Sequence, residues 1–309
     1  MKRFKAAAAL LLAMSLLPAS ALAEGEELDR GDNAPPVAEN QMLETYRGVS
    51  VGGQLKAHDP DGDQVTFEIT TEPMKGEVAL SADGAFVYTP GENRRGKDYF
   101  GFRAVDAQGN PSQEGTVIIR LLRQKSKLTY ADMVGSGAEY AAVVLTERGV
   151  FTGETVGRDH IFDPEGTVTR GEFLTMCMTA AGCPLLQSVR STGFRDDGDI
   201  GGWLKPYVAT ALMRGYIRGV ADENGARFCP GDGISLRDAC SMLNAVLGVT
   251  DVVSAGAFPG EELSESAQAA ANLTACGVLP AWSRAPEETL TRWEAAELLQ
   301  NALRLMDRR

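Results

Sequence analysis

The spacing of apolar residues changes once along this chain, and that change separates two folding problems. From Asn33 to about Leu122 the period is two: Val65-Phe67-Ile69, Val78-Leu80, Phe86-Tyr88, Phe100-Phe102-Ala104 and Val117-Ile119-Leu121 alternate with polar residues. Such alternation buries one face of a strand and leaves the other in solvent. Turn signals at Asp61-Gly62, Asp83-Gly84, Pro90-Gly91 and Gln108-Gly109-Asn110-Pro111 separate the runs. About seven short strands in ~90 residues predict a small β-sandwich. From Thr129 onward the period becomes 3.6, which predicts an all-α second half.

A repeat runs through that second half three times. Its clearest segment is Thr169-Arg170-Gly171-Glu172, then Ser235-Leu236-Arg237-Asp238, then Thr291-Arg292-Trp293-Glu294, each leading into an apolar helical run. Ser or Thr followed three residues later by an acid is a capping box, with Asp238 the shorter variant. Pro164, Pro230 and Pro286 precede the three boxes. Helices ending at Gly149, Gly215 and Gly277 lie further upstream, and Tyr130, Phe194 and Phe258 open the three units. The units are expected at residues 129–190, 191–250 and 251–309, with 123–128 as a linker after a sandwich over 33–122.

The arginine of each box, Arg170, Arg237 or Arg292, sits where the helix dipole disfavours a cation. One reading makes it an anion site, because guanidinium beside free helix-start N–H groups grips a carboxylate bidentately. The other has it bridge to acids of the neighbouring repeat and tie the three units together. From the residues alone both stand.

The N-terminus predicts export. Met1-Lys2-Arg3-Phe4-Lys5 is basic, Ala6 to Leu17 is apolar, and Ala21-Leu22-Ala23 is a small-x-small site, so residues 1–23 read as a secretory signal peptide. Pro18 and Ser20 interrupt the run before the ~20 apolar residues that a membrane span needs. An acidic leader over 24–32 follows. Loss of Lys2, Arg3 and Lys5 takes the net charge from −12 to −15. No cysteine lies near the cleavage site, and Leu303 to Arg309 is no sorting tail, so no membrane anchor is expected after cleavage. An acidic chain is also a poor general binder of nucleic acid. Five cysteines at irregular spacing (Cys177, Cys183, Cys229, Cys240 and Cys276) do not form a disulfide framework. Unpaired thiols packed as small hydrophobes are expected, with one bridge as the alternative.

The first half resembles the bacterial cadherin-like, immunoglobulin-like modules of surface proteins. The resemblance rests on Asn33-Ala34-Pro35-Pro36-Val37-Ala38, Asp59-Pro60-Asp61-Gly62-Asp63, Asp83-Gly84-Ala85-Phe86-Val87-Tyr88-Thr89-Pro90, Gly96-Lys97-Asp98-Tyr99-Phe100-Gly101-Phe102 and Val105-Asp106-Ala107-Gln108-Gly109. It implies a sandwich used for spacing, adhesion or display. Asp59, Asp61 and Asp63, with Asp106 or Asp32 nearby, have a spacing that can wrap Ca²⁺. The same residues also suit a plain Asp-Gly hairpin turn. No cofactor is required; Ca²⁺ is the one candidate.

The second half resembles three S-layer homology repeats, the wall-binding modules of Gram-positive envelope proteins. Phe194-Arg195-Asp196, Trp203, Gly215-Tyr216-Ile217-Arg218-Gly219 and Ile234-Ser235-Leu236-Arg237-Asp238 match best; Tyr130-Ala131-Asp132 and Leu290-Thr291-Arg292-Trp293-Glu294 match in the flanking copies. The first copy has Gly137 where the tryptophan belongs, and the third lacks the tryptophan, the opening aspartate and the second glycine. The resemblance implies a pseudo-threefold helical spindle binding a secondary cell-wall polymer, typically pyruvylated, between repeats. Arg170, Arg237 and Arg292 would then hold its carboxylate, Trp203 would stack on a sugar or pack in the core, and Asp132 and Asp196 would bond hydroxyls or cap helices.

The chain is therefore expected to be a multidomain secreted protein of the cell wall: an all-β sandwich followed by an all-α pseudo-threefold triplet. Its partner would be an anionic pyruvylated wall glycan, with a surface protein or glycan as a further ligand of the sandwich. No nucleophile motif stands beside His58 or His160, so no enzyme is expected. The alternatives are a structural envelope protein or adhesin, and a wall-remodelling hydrolase.

Overall fold

Three buried aliphatic residues, one per helical repeat, meet at the centre of the second half and explain its architecture. In the computed structural model, which describes residues 33–250, 264–280 and 284–309, Val168, Ile234 and Leu290 are buried side by side. Their backbones close a ring: Val168 N donates to Leu290 O (3.1 Å), Leu290 N to Ile234 O (2.9 Å), and Ile234 N to Val168 O (2.9 Å). Such a ring brings three equivalent segments to one axis, so the threefold repeat read from the sequence becomes a threefold arrangement in space. The predicted signal peptide, the leader and Phe258 lie outside the described residues.

The first half is a sandwich. Its strands are β1 (Val37–Ala38), β2 (Gln41–Tyr46), β3 (Val51–Gln54), β4 (Ala57–His58), β5 (Thr66–Thr71), β6 (Gly76–Leu80), β7 (Ala85–Pro90), β8 (Gly96–Val105) and β9 (Gly115–Leu122). One sheet has the order β2-β9-β8-β5 and the other β3-β7-β6, while β1 and β4 form a short ladder. β2 runs parallel to β9, with Gln41 opposite Val117 and Tyr46 opposite Leu122. The inward residues are those of the period-two runs: Phe86, Tyr88, Phe100, Phe102, Val117 and Ile119 are buried. Between the sheets Tyr88 Oη donates to Asp98 Oδ2 at 2.8 Å, and Asp98 also accepts Met74 N and Lys75 N. Burial and this bond push the Tyr88 hydroxyl well above its usual range.

The second half carries α1 (Glu139–Glu147), β10 (Glu154–Val156), β11 (Asp159–Ile161), α2 (Arg170–Ala180), α3 (Lys205–Met213), β12 (Val220–Asp222), β13 (Gly225–Arg227), α4 (Leu236–Leu247), α5 (Glu265–Ala275) and α6 (Arg292–Met306). The helices pack chiefly across repeat boundaries, α2 on α3, α4 on α5 and α6 on α1. Repeats one and two each insert a two-stranded ribbon, β10–β11 and β12–β13, so this half is not purely helical. Helical periodicity could not disclose ribbons of three-residue strands. Gly149, Gly215 and Gly277 end the first helix of each repeat at φ of 68°, 73° and 69°, the left-handed stop that favours glycine. A Cβ on Gly153 or Gly219 would lie 2.4 Å from the ring of Tyr130 or Phe194. In repeats one and two the opening aromatic and the closing glycine are thus two sides of one close contact. All five cysteines are unpaired. Burial raises the Cys177 thiol and pushes Cys240 up to about 12.

The linker expected at 123–128 does not leave the sandwich free. Pro35 to Arg309 form one compact unit, and the sandwich is docked on repeat one. Gly52 N donates to Gly137 O at 2.8 Å and Tyr140 N to Ser50 O at 3.2 Å. Tyr46 meets the Tyr140 ring edge-on at 5.2 Å. At the seam Glu139, only 2% exposed, accepts Ser50 N at 3.0 Å and Gly135 N at 3.1 Å. Linker residue Ser126 donates its N–H to Glu147 at 2.7 Å. A Cβ on Gly52 would stand 3.1 Å from the Gly137 backbone, and one on Gly137 would stand 3.3 Å from Gly52 Cα, so a side chain on either glycine would press the two backbones apart.

Burial lifts the Glu139 carboxyl above its ordinary 4.5, against the two backbone N–H groups that lower it. The folded state then holds a proton that the unfolded state releases between those two values, so stability falls as pH rises through that window. The stability of the native chain relative to Glu139→Gln is expected to decline over that rise and to be flat below 4.5. Denaturant unfolding of both proteins across pH 4 to 8 checks this; parallel profiles would contradict it. Glu139→Ala, which removes the acceptor of Ser50 N and Gly135 N, should cost about 1–3 kcal/mol below that window and less above it.

Candidate functional site

Each capped helix begins against the following repeat. Arg170 N donates to Asp232 O (2.9 Å) and Gly171 N to Pro230 O (3.0 Å); Leu236 N donates to Glu288 O (2.9 Å) and Arg237 N to Pro286 O (2.8 Å); Arg292 N donates to Gly166 O (2.8 Å) and Trp293 N to Pro164 O (3.1 Å). Box residues satisfy the N–H groups next to these: Glu172 N donates to Thr169 Oγ1, Asp238 N to Ser235 Oγ, and Thr291 N to Glu294 Oε2. The helix starts are therefore not open anion sites, because the N–H groups that an anion would use already join the repeats in a cycle. The recurring prolines supply three of the carbonyls.

The same pairing corrects the alignment of the arginines. Arg170 and Arg292 occupy one structural position, which in repeat two is Leu236. Arg237 falls one residue further along, at the position of Gly171 and Trp293. Arg170 is 7% exposed, donates Nε to Phe228 O at 3.1 Å, lies over the Phe228 ring and pairs with Asp238. Arg292 donates Nε to Phe162 O at 2.7 Å and stacks on Phe151, its Cζ 4.5 Å from the ring centroid. Both arginines tie one repeat to the next. Arg237 also reaches across, to Glu287 at 2.6 Å and Ser266 Oγ at 2.9 Å, but it does so from the wall of a cleft.

That cleft, about 470 Å³, lies between repeats two and three. α4 gives it Arg237, Asp238 and Ser241; the turn after α3 gives Tyr216 and Arg218; the start of α5 gives Glu265 and Ser266. Arg170 contributes at its edge. Arg218 and Glu265 meet across it at 2.6 Å, both largely exposed. Each of the three guanidinium groups meets one carboxylate, Arg170 with Asp238, Arg218 with Glu265 and Arg237 with Glu287, and because Glu265 and Glu287 are exposed an acid group can exchange with either as partner of an arginine. Sequence reasoning reached Arg237 and quoted the Gly215–Gly219 turn. It missed Ser266 and Glu265, whose repeat-three helix start carries no motif resembling the other two.

The remaining expected residues are scattered. Asp132 accepts Phe162 N (2.9 Å) and Asp163 N (2.6 Å), and Asp196 accepts Phe228 N (2.9 Å) and Cys229 N (2.7 Å). Both thus hold the loop that follows the ribbon of their own repeat, and Asp132 also lines the second cleft described below. Trp203 is 64% exposed, so it is not a core residue, and it lines neither this cleft nor the second one described below. Asp59 Oδ1 accepts Asp61 N and Asp63 N, and Asp106 Oδ1 accepts Gln108 N and Asn110 N. Each is therefore occupied by its own turn, as the hairpin alternative requires. Among the described residues no three His, Cys, Asp or Glu side chains come together as a metal group, so Asp59, Asp61, Asp63 and Asp106 do not fit the expected Ca²⁺ site. Asp59 Oδ2 is buried without a hydrogen-bond partner.

Residues 33–122 match the family model of the bacterial cadherin-like domain. No curated protein matches the chain. Among solved structures, the SrpA adhesin of Streptococcus sanguinis (R347E mutant) is 21% identical over 33% of this chain and 65% of its own, with a TM-score of 0.24. BT4661, a SusE-like surface-located polysaccharide-binding protein from the Bacteroides thetaiotaomicron heparin utilisation locus, is 17% identical over 32% of this chain and 16% of its own, with a TM-score of 0.23. The endo-fucoidan hydrolase MfFcnA9 of glycoside hydrolase family 107 is 22% identical over 30% and 16%, with a TM-score of 0.24. The chain spans only 14–18% of the first three structures it matches. Among the described residues no helix is long and apolar enough to cross a membrane.

The arginines should separate by stability. Arg170→Ala strips a buried position and leaves Phe228 O and Asp238 without their cation, so a loss of about 3 kcal/mol is expected. Arg237→Ala breaks a pair whose acid, Glu287, is 74% exposed, and should cost under about 1 kcal/mol. Chemical denaturation of the two variants checks this; equal losses would overturn the distinction.

Proposed function

We propose that this chain is an extracellular surface-binding protein whose helical triplet grips an acidic glycan of the cell wall in the cleft between repeats two and three. The S-layer homology resemblance makes a pyruvylated secondary cell-wall polymer the candidate ligand. The observation that carries the reading is Arg237: it lines a cleft beside Arg170 and Arg218, its acid partner Glu287 is solvent-exposed, and so a ligand carboxylate can take the place of that partner. At a formal net charge of −12 the protein repels a polyanion at long range, so the grip is short-ranged and bidentate. On this reading the chain binds rather than catalyses, and the cadherin-like domain fits an extracellular setting.

The full chain should co-sediment with purified walls, and removal of pyruvyl groups from those walls should abolish binding. Arg237→Ala should weaken binding by about tenfold, the effect of losing ~1.4 kcal/mol, while Arg292→Ala should act through stability alone. Undiminished sedimentation with pyruvyl-free walls would sink the ligand assignment.

A second reading, an adhesin or envelope subunit, is favoured by one feature of the sandwich. Met42 and Tyr99 flank Ile118 in the register of β2, β9 and β8, and they are 62% and 51% exposed. This forms an apolar row on the outer face of a sheet. If that row served self-association, size-exclusion chromatography would show oligomers that Met42→Lys/Tyr99→Lys converts to monomers. A monomeric native chain with wall affinity is the expected result.

A further inference from the structure

A second cleft, of about 850 Å³, lies between repeats three and one, and the edge of the sandwich forms its outer wall. Superposing the repeats in sequence places it as the counterpart of the cleft between repeats two and three. Ser136, Gly137, Ala138 and Ala141 of repeat one stand where Ser264, Glu265, Ser266 and Ala269 stand in the first cleft. Trp293 stands where Arg237 does, since Trp293 N and Arg237 N make the same bond to the proline loop of the following repeat. Pro280 takes the place of Arg218.

Four side chains of the first cleft are thus exchanged for apolar or absent ones, while Asp238 and Ser241 give way to Glu294 and Glu297. Arg237 becomes indole, Arg218 becomes proline, Glu265 becomes glycine and Ser266 becomes alanine. The loss of a side chain at Gly137 is also what lets β3 approach, through the Gly52 N to Gly137 O bond. Because of that approach, Gln54, Asp83 and Phe86 of the sandwich line the cleft. Five carboxylates line it, Asp83, Asp132, Glu165, Glu294 and Glu297, against two guanidinium groups: Arg284, which pairs with Glu288 and Glu294, and Arg304, which lies over the Tyr140 ring.

We propose that this composite cleft is a saccharide site selective for uncharged sugars, distinct from the acid-binding cleft and completed by the cadherin-like domain. An indole wall presents a flat apolar surface to the C–H face of a pyranose. The carboxylates of Asp83 and Glu297, together with the amides of Gln54 and Asn301, are acceptors and donors for its hydroxyls. An acid-bearing sugar would meet carboxylates and no guanidinium at the Arg237 position, and is excluded by like charge. The site stands on its own lining and does not depend on the ligand assigned to Arg237.

The test titrates the full chain with three probes, an N-acetylglucosamine tetramer, a neutral glucan tetramer and a galacturonic acid tetramer, by calorimetry and by tryptophan fluorescence. At least one neutral tetramer should bind, with a change in indole emission, and the galacturonic acid tetramer should not compete with it. Trp293→Ala should weaken that binding by about tenfold, the equivalent of ~1.4 kcal/mol. Asp83→Asn, on an exposed turn that asparagine can also adopt, should weaken it by about threefold. Arg237→Ala should leave it unchanged while weakening wall binding, so the two sites fail separately. Absence of binding by both neutral tetramers, competition by the acidic one, or binding that survives both Trp293→Ala and Asp83→Asn would overturn the proposal.

Discussion

The backbone ring of Val168, Ile234 and Leu290 is the constraint on which the rest of the helical half depends. Three hydrogen bonds around one axis leave no free edge, and they fix the rotation of each repeat relative to the next. Once the rotation is fixed, the helix start of one repeat must fall on the proline loop of its neighbour. Its first N–H groups are then satisfied by carbonyls and not by solvent. The clefts between repeats inherit their geometry from the ring, and their chemistry from whichever residue follows the first helical position.

This dependence explains how a single offset changed the reading of the arginines. In the sequence Arg170, Arg237 and Arg292 look like one feature repeated three times, since each lies inside a Ser/Thr-x-x-acid box. The backbone bonds show two features. Arg170 and Arg292 are shielded by Phe228 and by Phe151 and Phe162, and act as struts. Arg237, one residue along, points its guanidinium into a cleft. The second box also differs for a physical reason: Asp238 is needed by Arg170 across the repeat boundary, whereas Glu172 and Glu294 reach back to their own N-caps.

Much of the fold was legible because periodicity reports directly on which face is buried. The seven strands of the two sheets, the three capped helices and their glycine stops follow from local signals at residues such as Phe100, Thr169 and Gly215. Interactions between distant segments left no comparable mark. The residues of β10–β11 and β12–β13 read as loop because three-residue strands carry no usable alternation. The docking of the sandwich was hidden more completely. It rests on Gly52 against Gly137 and Ser50 against Glu139, pairs separated by more than eighty positions, in which the decisive side chain is either absent or a carboxylate that looks solvent-bound.

That docking changes what the sandwich is. A module on a flexible linker would only be displayed, and its sequence would be free of any demand from the triplet. A docked module must match its seat, and here the match runs through Gly137, the position at which the first repeat departs from the tryptophan expected by resemblance. A large side chain at that position would stand where Gly52 and Val87 now lie and would force the sandwich away. The glycine is therefore a structural requirement of the seam. It is the condition that admits β3 to the edge of the cleft, and with β3 come Gln54, Asp83 and Phe86 as walls that a free triplet would lack. The two halves differ in period and in turn chemistry, and their closest backbone approach is between two glycines, residues that carry no hydrophobic pattern at all.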